Sequence, residues 1–365
     1  MTSTFRHSTP PRDLLFLAGK TALEHSRERG LSPEDIALIM GASGAAKWLS
    51  IYGLDRIIFD QWLAPRKAPL HLFGTSIGAW KLAAASRSNP ARALDLLKTA
   101  YIRQHYTGRP SPSEIMEQSW IILNQLFPKP AVDEILSNPL LRMGFGTVRC
   151  RGPLNSDFLP LQGLGVATAM GLNRLGRKKQ RACFERVIFH HPDYDTHLMD
   201  VDDFPTRFVP LTRDNFSPAL MASGAIPLYM EGIKNIPGAP AGTYRDGGIL
   251  DYHPALPLVE KSGIILYPHF YPEITPGWFD KGQHGKRAGR PLTDQMLILA
   301  PSPEFVADMP LGQIPDRKDF GRFLGRDTRR MGAWNQTTDQ CKRLGDIFMY
   351  AAETGAIRDW VRPLA

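Results

Sequence analysis

Two short apolar runs in the first part of the sequence each stop at a glycine and lead into a segment of helical composition. Residues 36–40 (IALIM) end at Gly41, and residues 70–73 (LHLF) end at Gly74. Buried strands of a parallel sheet read as short apolar runs, and helical crossovers join such strands. The pattern predicts an α/β fold with a mostly parallel central sheet and with the loops after the strands at one sheet edge.

The rest of the chain extends this pattern. Apolar spacing and proline positions predict helices over residues 11–29, 45–63, 77–86, 90–137 and 316–356. Further strands are expected at residues 185–190, 208–210, 263–267 and 295–299. With 365 residues and no evident linker or repeat, the chain is expected to form one elaborated domain.

Composition narrows the class of protein. Apolar residues make up 43% and charged residues 22%, as in ordinary globular proteins. The three cysteines are widely spaced, so a reducing compartment is favoured over a disulfide framework or a zinc site. The apolar run at residues 14–18 is too short and too late for a signal peptide. We therefore expect a cytoplasmic protein, peripheral to a membrane at most.

The net charge of +8 favours anionic partners, although no nucleic-acid-binding signature accompanies it and no nucleic-acid partner is expected. The densest basic cluster lies at residues 174–181. It is either a solvated helix end or a contact for lipid headgroups. Residues 267–279 are rich in aromatics and precede basic residues. They are either a loop packed on the core or a membrane-docking loop.

Residues 74–78 read GTSIG and match the pattern G-x-S-x-G, with Ser76 at its centre. A nucleophilic serine at a sharp strand-to-helix turn needs small neighbours, and the start of the helix favours developing negative charge. The apolar run before the motif and the helix-forming run after it fit that context. The alternative is a tight turn whose serine only caps the helix.

The loop at residues 40–47 (MGASGAAK) also follows a strand and opens a helix. Its small residues allow backbone amides to face a cleft, where they can stabilise an oxyanion. Phosphate binding is the rival interpretation, but the loop has neither the Walker spacing nor the G-x-G-x-x-G pattern.

Residues 245–248 read RDGG, and the two glycines after Asp246 leave its carboxylate unobstructed. An aspartate serves as a base for serine only if its surroundings raise its pKa above the ordinary value near 3.9. The alternative is an Asp-Gly turn between strands.

Together these motifs resemble the patatin-like phospholipase family. GTSIGA at residues 74–79 resembles its nucleophile block, DGG at 246–248 its aspartate block, and MGASGAA at 40–46 its glycine-rich oxyanion block. ASGAIP at residues 222–227 resembles the segment that precedes the aspartate block. The resemblance implies a three-layer α/β/α patatin-like fold, with a motif-bearing core at about 31–260 and a C-terminal extension at 261–365.

The resemblance also implies a serine acyl hydrolase that cleaves lipid acyl esters, phospholipase A-like or lysophospholipase-like, without metal or organic cofactor. Ser76 would be the nucleophile and Asp246 its base, with an acyl-serine intermediate. Oxyanion and substrate contacts would come from Gly41, Ala42, Ser43, Gly44 and Ile77. The expected partner is a lipid or other acyl ester, with transient contact at a membrane surface.

The chain departs from the family at residues 39–40 (Ile-Met), where glycines are usual, and at Ser43, where the family has arginine. Two alternatives therefore stay open: an esterase or thioesterase triad that uses His253 or His269, and an inactive scaffold that binds lipid or protein. The histidine-rich segment at residues 190–197 lacks metal-site spacing and is expected to be a surface loop.

Overall fold

The computed structural model of the chain describes residues 9–260, 263–283 and 285–364. The strands are β1 (Leu14–Ala18), β2 (Ile36–Gly41), β3 (Leu70–Thr75), β4 (Leu141–Cys150), β5 (Phe184–His190), β6 (Thr206–Pro210), β7 (Ile233–Lys234), β8 (Thr243–Asp246), β9 (Ile264–Pro268), β10 (Met296–Pro301) and β11 (Arg362–Pro363).

The helices are α1 (Lys20–Arg29), α2 (Tyr52–Ile57), α3 (Ile77–Ala85), α4 (Pro90–Arg103), α5 (Pro112–Leu126), α6 (Lys129–Leu136), α7 (Leu159–Leu175), α8 (Phe216–Ser223), α9 (Pro303–Ala307), α10 (Lys318–Arg322), α11 (Asp327–Gln340), α12 (Lys342–Thr354) and α13 (Ile357–Trp360). Within the described ranges, none of these helices has both the length and the apolar character that a bilayer crossing demands.

The strands form one central sheet in the order β11-β1-β10-β9-β2-β3-β4-β5-β6, with β8 paired to β4 and β7 to β8. The run from β10 through β9, β2 and β3 to β4 is parallel throughout. Antiparallel pairs occur where β1 meets β10 and where β4 meets β5 and β8. The α/β fold with a mostly parallel sheet is thus confirmed.

Helices cover both faces of the sheet. Every residue of β9 and β10 is buried, and in β2 and β3 all residues but one are buried. Side chains of a strand alternate between faces, so a fully buried strand is covered on both sides. The architecture has three layers, with the core in the two interfaces between helices and sheet.

The segment after residue 260 contributes to the centre of this sheet. Its strands β9 and β10 lie between β1 and β2, and β9 pairs directly with β2, which leads into the MGASGAAK loop. The C-terminal residues therefore complete the sheet on which the serine motif is built.

The prediction of one helix over residues 11–29 is wrong in its first half. Residues 14–18 form β1, in which alternate side chains are buried, and Phe16 pairs with Leu299 of β10. Because all five residues of β1 are apolar, their spacing suits a helix as well as a strand, and pairing with β10 decides between them. Residues 45–63 are helical but irregular, with a 3-10 helix before α2 and a π-helix after it. The other predicted helices and strands are found near their expected positions.

Candidate functional site

Ser76 occupies the sharp turn between β3 and α3. Its backbone has φ 54° and ψ −131°, a conformation that residues other than glycine rarely adopt. Such a conformation costs about 1–3 kcal/mol and persists only where the surrounding structure imposes it. The turn places Ser76 directly before the first residue of α3, as the G-x-S-x-G pattern requires.

The small residues on either side of Ser76 are required by close backbone contacts. A Cβ atom added to Gly78 would lie 2.2 Å from the carbonyl oxygen of Gly41, and one added to Gly74 would lie 2.7 Å from the carbonyl carbon of Gly78. The end of β2 therefore packs against the start of α3 without room for side chains. This contact joins the two glycine-rich loops that the sequence singles out.

Asp246 ends β8 and faces Ser76. The Ser76 hydroxyl donates a hydrogen bond to Oδ2 of Asp246 over 2.8 Å, and the Gly248 amide donates to Oδ1 over 2.7 Å. A Cβ atom on Gly247 would lie 2.1 Å from the carbonyl oxygen of Gly146 in β4. The DGG sequence thus lets the chain turn tightly against β4 while the carboxylate keeps one oxygen for Ser76.

Burial changes the acidity of Asp246. Its pKa is raised to about 6, because desolvation outweighs the hydrogen bonds from Gly248 and Ser76 and the positive charges of Lys281 and Arg317. Ser76 and Asp246 are both buried. A carboxylate of this basicity that accepts a hydrogen bond from a serine hydroxyl can take the proton when the oxygen becomes a nucleophile.

Ser223, at the end of α8, contacts the backbone of Ser76. The Ser76 amide donates to Oγ of Ser223 over 3.0 Å, and the Ser223 hydroxyl donates to the carbonyl of Gly146 over 2.8 Å. The sequence marks ASGAIP at residues 222–227 as a family-like segment but gives Ser223 no role. Its contact with the strained turn follows only from the tertiary structure, which brings α8, β4 and the turn together.

Ser43 of the upstream loop lies beside the aspartate block. Its amide donates to the carbonyl of Tyr252 over 2.8 Å. The hydroxyl of Thr75 donates to the carbonyl of Asp251, so Ser43 is the donor in its 2.8 Å hydrogen bond with Thr75. The expectation that the Ser43 amide holds an oxyanion is corrected here, because that amide is already used within the protein.

The other residues expected to hold the oxyanion differ from Ser43 in the hydrogen bonding of their backbone amides. Within the described ranges, the amides of Ala42, Gly44 and Ile77 have no acceptor in the protein. Ile77 is the first residue of α3 and follows Ser76 directly. An amide at this position can donate to the oxyanion that forms when a substrate carbonyl is bonded to the serine oxygen. Gly41 serves the close packing against Gly78, since its carbonyl limits the size of residue 78.

Cations from both ends of the chain gather around the Ser76–Asp246 pair. The ammonium of Lys281 lies 3.6 Å from the ring centroid of Tyr252, and the guanidinium of Arg317 lies 4.0 Å from that of Tyr229. Lys47, one turn into the helix after the upstream loop, pairs with Asp316. In the described ranges, neither Lys281 nor Arg317 forms an ion pair within the protein.

These cations act on one another. Desolvation, followed by the like charges of Lys47 and Arg317, lowers the pKa of Lys281 to about 7. Desolvation, with Arg317 and Lys318, lowers the pKa of Lys47 to about 8. Desolvation is the largest cause of both shifts and the like charges add to it, so an anion bound among these groups would relieve the repulsion between the cations. Sequence reasoning missed this group because residues 47, 281 and 317 are far apart in the chain.

Among the described residues, neither His253 nor His269 forms a hydrogen bond with Ser76. Their rings lie 4.3 Å apart, and Nδ1 of His253 accepts the Thr275 amide. Burial lowers the pKa of His253 far below its ordinary value and that of His269 to about 3, so both are neutral. Neither is placed to serve as the base of Ser76.

Two weaker signals in the sequence also have clear positions. Tyr267 and Phe270 are buried, and Tyr271, Trp278 and Phe279 are half-buried, so this aromatic segment packs on the core as a loop. His190 ends β5 and is buried with His191, so the expectation of a surface loop is wrong for these two residues.

Comparison with known proteins adds little to this geometry. No family model and no curated protein matches the chain. VipD from Legionella pneumophila is a structural neighbour with a TM-score of 0.35 and 12% identity, over 98% of this chain and 76% of VipD. Human GIVD cytosolic phospholipase A2 is another, with a TM-score of 0.32 and 11% identity, over 93% of this chain and 63% of that one. Likenesses this weak carry no argument for function.

Proposed function

We propose that the chain is a serine acyl hydrolase that cleaves lipid acyl esters, with Ser76 as nucleophile and Asp246 as its base. The observation that carries the proposal is the 2.8 Å hydrogen bond from the Ser76 hydroxyl to Asp246, made from a strained strand-to-helix turn. The raised pKa of Asp246, about 6, supports a role as base rather than as an inert anion. The lipid class of the substrate rests on the motifs at residues 40–46, 74–79 and 246–248.

In the first half of the reaction, the Ser76 oxygen bonds to the carbonyl carbon of the ester, and its proton passes to Oδ2 of Asp246. The carbonyl electrons move to the oxygen and give a tetrahedral oxyanion. When they return, the carbon–oxygen bond to the alcohol breaks, and Asp246 gives its proton to the departing alkoxide. The products of this half are an alcohol and an acyl-Ser76 ester.

In the second half of the reaction, a water molecule attacks the acyl-Ser76 ester by the same steps. Asp246 takes a proton from the water, whose oxygen attacks the acyl carbon. The bond from the acyl carbon to the Ser76 oxygen then breaks, and the proton on Asp246 returns to that oxygen. A carboxylic acid leaves and the free enzyme is restored, with every proton accounted for by the same carboxylate.

The amides of Ala42 and Ile77 are the best candidates for the oxyanion hole. Neither has an acceptor among the described residues, and each borders the contact between the two glycine-rich loops. Amides fixed in this way act without reorganisation, and one such donor is commonly worth about 2.7–4 kcal/mol in the transition state.

The surrounding cations favour a substrate with an anionic headgroup near its ester. Lys281 and Arg317 have aromatic contacts but no acidic partner in the described ranges, and both lower the pKa of Asp246 through their charge. The family that this chain resembles has an arginine at the position of Ser43. We propose that Lys281 and Arg317 replace that arginine in binding an anionic group. A phospholipid or lysophospholipid fits this combination of acyl ester and anion.

Hydrolysis of p-nitrophenyl esters of graded chain length, with Ser76→Ala and Asp246→Asn variants, tests the proposal. Ser86→Ala is the matched control, because Ser86 is a buried serine at the other end of α3 and its hydroxyl donates to the Leu82 carbonyl of that helix. We expect turnover to be lost in both site variants and kept in the control. Turnover that survives in Ser76→Ala would assign the activity elsewhere, and a wild type inert towards all esters and phospholipids would favour the inactive-scaffold alternative.

A further inference from the structure

Helix α7 has two buried polar side chains and several large apolar side chains that are exposed. Gln162 and Asn173 are buried, with 2% and 0% of their surface exposed. Six large apolar residues at and just before the helix are exposed and form what we call the docking face: Phe158 (64%), Leu159 (47%), Leu161 (42%), Leu164 (57%), Met170 (39%) and Leu175 (70%). A surface helix ordinarily has the opposite arrangement, and a contiguous exposed apolar face marks an interaction site.

Specific buried contacts fix this orientation of α7. The side-chain oxygen of Gln162 accepts the Leu228 amide over 2.9 Å, and the Asn173 side chain donates to Asp280 over 2.6 Å. Gly165 packs so closely that a Cβ atom there would lie 2.5 Å from Cγ of Leu154. Rotating the helix to bury its leucines would break both hydrogen bonds inside the protein, so the exposed apolar face is built in.

A basic segment follows the docking face. Arg174 lies in the last turn of α7, and Lys178, Lys179 and Arg181 are exposed just after it. In the described ranges none of these four residues forms an ion pair, and α7 itself contains no acidic residue. Apolar residues beside unpaired cations, on a helix without acids, match the composition of helices that lie in the interface of an anionic bilayer.

We infer that α7 and the basic segment form a docking surface for an anionic lipid bilayer. The 17 residues of α7 span about 25 Å along the helix axis, and the helix would lie parallel to the membrane with its leucines below the headgroups. A second copy of the chain fits less well. A two-fold interface confined to this patch would leave the cations of both copies without acidic partners, because residues 158–181 contain no acidic residue.

The docking surface is tied to the segments that border Ser76 and Asp246. The Leu228 amide donates to Gln162 of α7. Three residues before Leu228, the carbonyl of Ala225 accepts a hydrogen bond from the Asp246 amide over 3.1 Å. Asp280, which Asn173 holds, directly precedes Lys281. A membrane bound to α7 would therefore lie next to both segments that line the proposed site. The inference does not depend on catalysis, because vesicle binding is measured without turnover.

Co-sedimentation with vesicles of phosphatidylcholine alone, and of phosphatidylcholine mixed with phosphatidylserine, tests the inference. We expect the full chain to sediment with the mixed vesicles and to stay largely in solution with phosphatidylcholine alone. Leu164→Asp should weaken binding by roughly tenfold or more, since it replaces an inserted apolar group by a charge of the wrong sign. Its matched control is Ile121→Asp on α5, where a similarly exposed residue (53%) lies outside the docking face.

The basic segment is tested in the same assay. Lys178→Gln together with Lys179→Gln should weaken binding to the mixed vesicles by roughly tenfold, while Arg27→Gln together with Arg29→Gln on α1 should have little effect although the change in net charge is equal. An equal loss of vesicle binding in the two double variants would mean that only the overall charge matters, and this would contradict the docking surface. A wild type that does not bind the mixed vesicles would also contradict the docking surface. So would a dimer, seen by sedimentation velocity, that Leu164→Asp dissociates while vesicle binding stays unchanged.

Discussion

The backbone amide of Ser76 donates a hydrogen bond to the side-chain oxygen of Ser223, 3.0 Å away, and so ties the strained turn to the end of α8. Ser223 in turn donates to the Gly146 carbonyl of β4, the strand that also pairs with the strand of Asp246. One hydroxyl thus connects the turn that holds Ser76 with the strand that pairs with the strand of Asp246.

Replacing Ser223 by alanine should lower kcat without unfolding the protein. A buried amide left without an acceptor costs about 1–3 kcal/mol, and we expect a roughly tenfold loss of kcat as the turn relaxes. The readout is steady-state kinetics alongside thermal unfolding, with Ser86→Ala as the control for loss of a buried hydroxyl. Wild-type kcat in Ser223→Ala would contradict the positioning role.

The pKa of Asp246 predicts the acid limb of activity. A base must be unprotonated, and the folded-state pKa is raised from 3.8 to about 6, so Asp246 gains its proton as the pH falls through that value. Values of kcat/KM for a neutral ester should therefore fall below about pH 6 with a slope of one. An acid limb near pH 4, in a protein still folded there, would contradict the assignment of Asp246 as base.

Lys281→Gln should reduce kcat/KM for anionic esters by roughly tenfold and for neutral esters much less, since it removes a cation beside the site. Removal of its charge should also raise the pKa of Asp246 and move the acid limb upward, because Lys281 lowers that pKa. Lys129→Gln, an exposed lysine at the start of α6, is the control. Equal losses for charged and neutral esters would argue against anion recognition.

The lowered pKa of Lys281 adds an alkaline limb for anionic substrates only. Lys281 loses its proton as the pH rises through about 7, so kcat/KM for an anionic ester should decline above that pH while the neutral ester is unaffected. Parallel pH profiles for the two esters, repeated with Lys281→Gln, measure the effect. A decline shared by both esters would assign the limb to another group.

The helix behind Ser76 depends on a buried ion pair. Lys81 of α3 lies 2.7 Å from Asp55 of α2, and their side chains are 2% and 1% exposed. Lys81→Met leaves a buried carboxylate without its partner and should lower the free energy of unfolding by about 3–5 kcal/mol in urea titrations. Asp55→Leu combined with Lys81→Met should recover most of the loss, and a single variant as stable as the wild type would contradict this.

Much of this arrangement could be predicted from local sequence. The runs at residues 36–40 and 70–73 become β2 and β3 because continuous burial needs continuous apolar sequence. The turn at Ser76 could be anticipated because only glycines tolerate the contacts on either side of it. The pairing of Ser76 with Asp246 was suggested by family-like motifs rather than by spacing, since 170 positions separate the two residues.

Other features depend on tertiary contacts that local patterns do not encode. Residues 14–18 suit either a helix or a strand, and pairing with β10 decides. The Ser43 amide is taken by Tyr252, a contact between segments about two hundred positions apart. The exposure of the leucines of α7 depends on the buried hydrogen bonds that Gln162 and Asn173 make with distant segments of the chain.

Covalent labelling of Ser76 tests the central claim most directly. A long-chain alkyl fluorophosphonate, which reacts with activated serines, is added to the wild type, Asp246→Asn and Ser86→Ala, and the adduct is located by intact mass and peptide mapping. We predict one adduct, on Ser76, in the wild type and in Ser86→Ala, and a rate at least roughly a hundredfold lower in Asp246→Asn because the base is lost. An unlabelled wild type, an adduct on another residue, or equal labelling of Asp246→Asn would contradict the account.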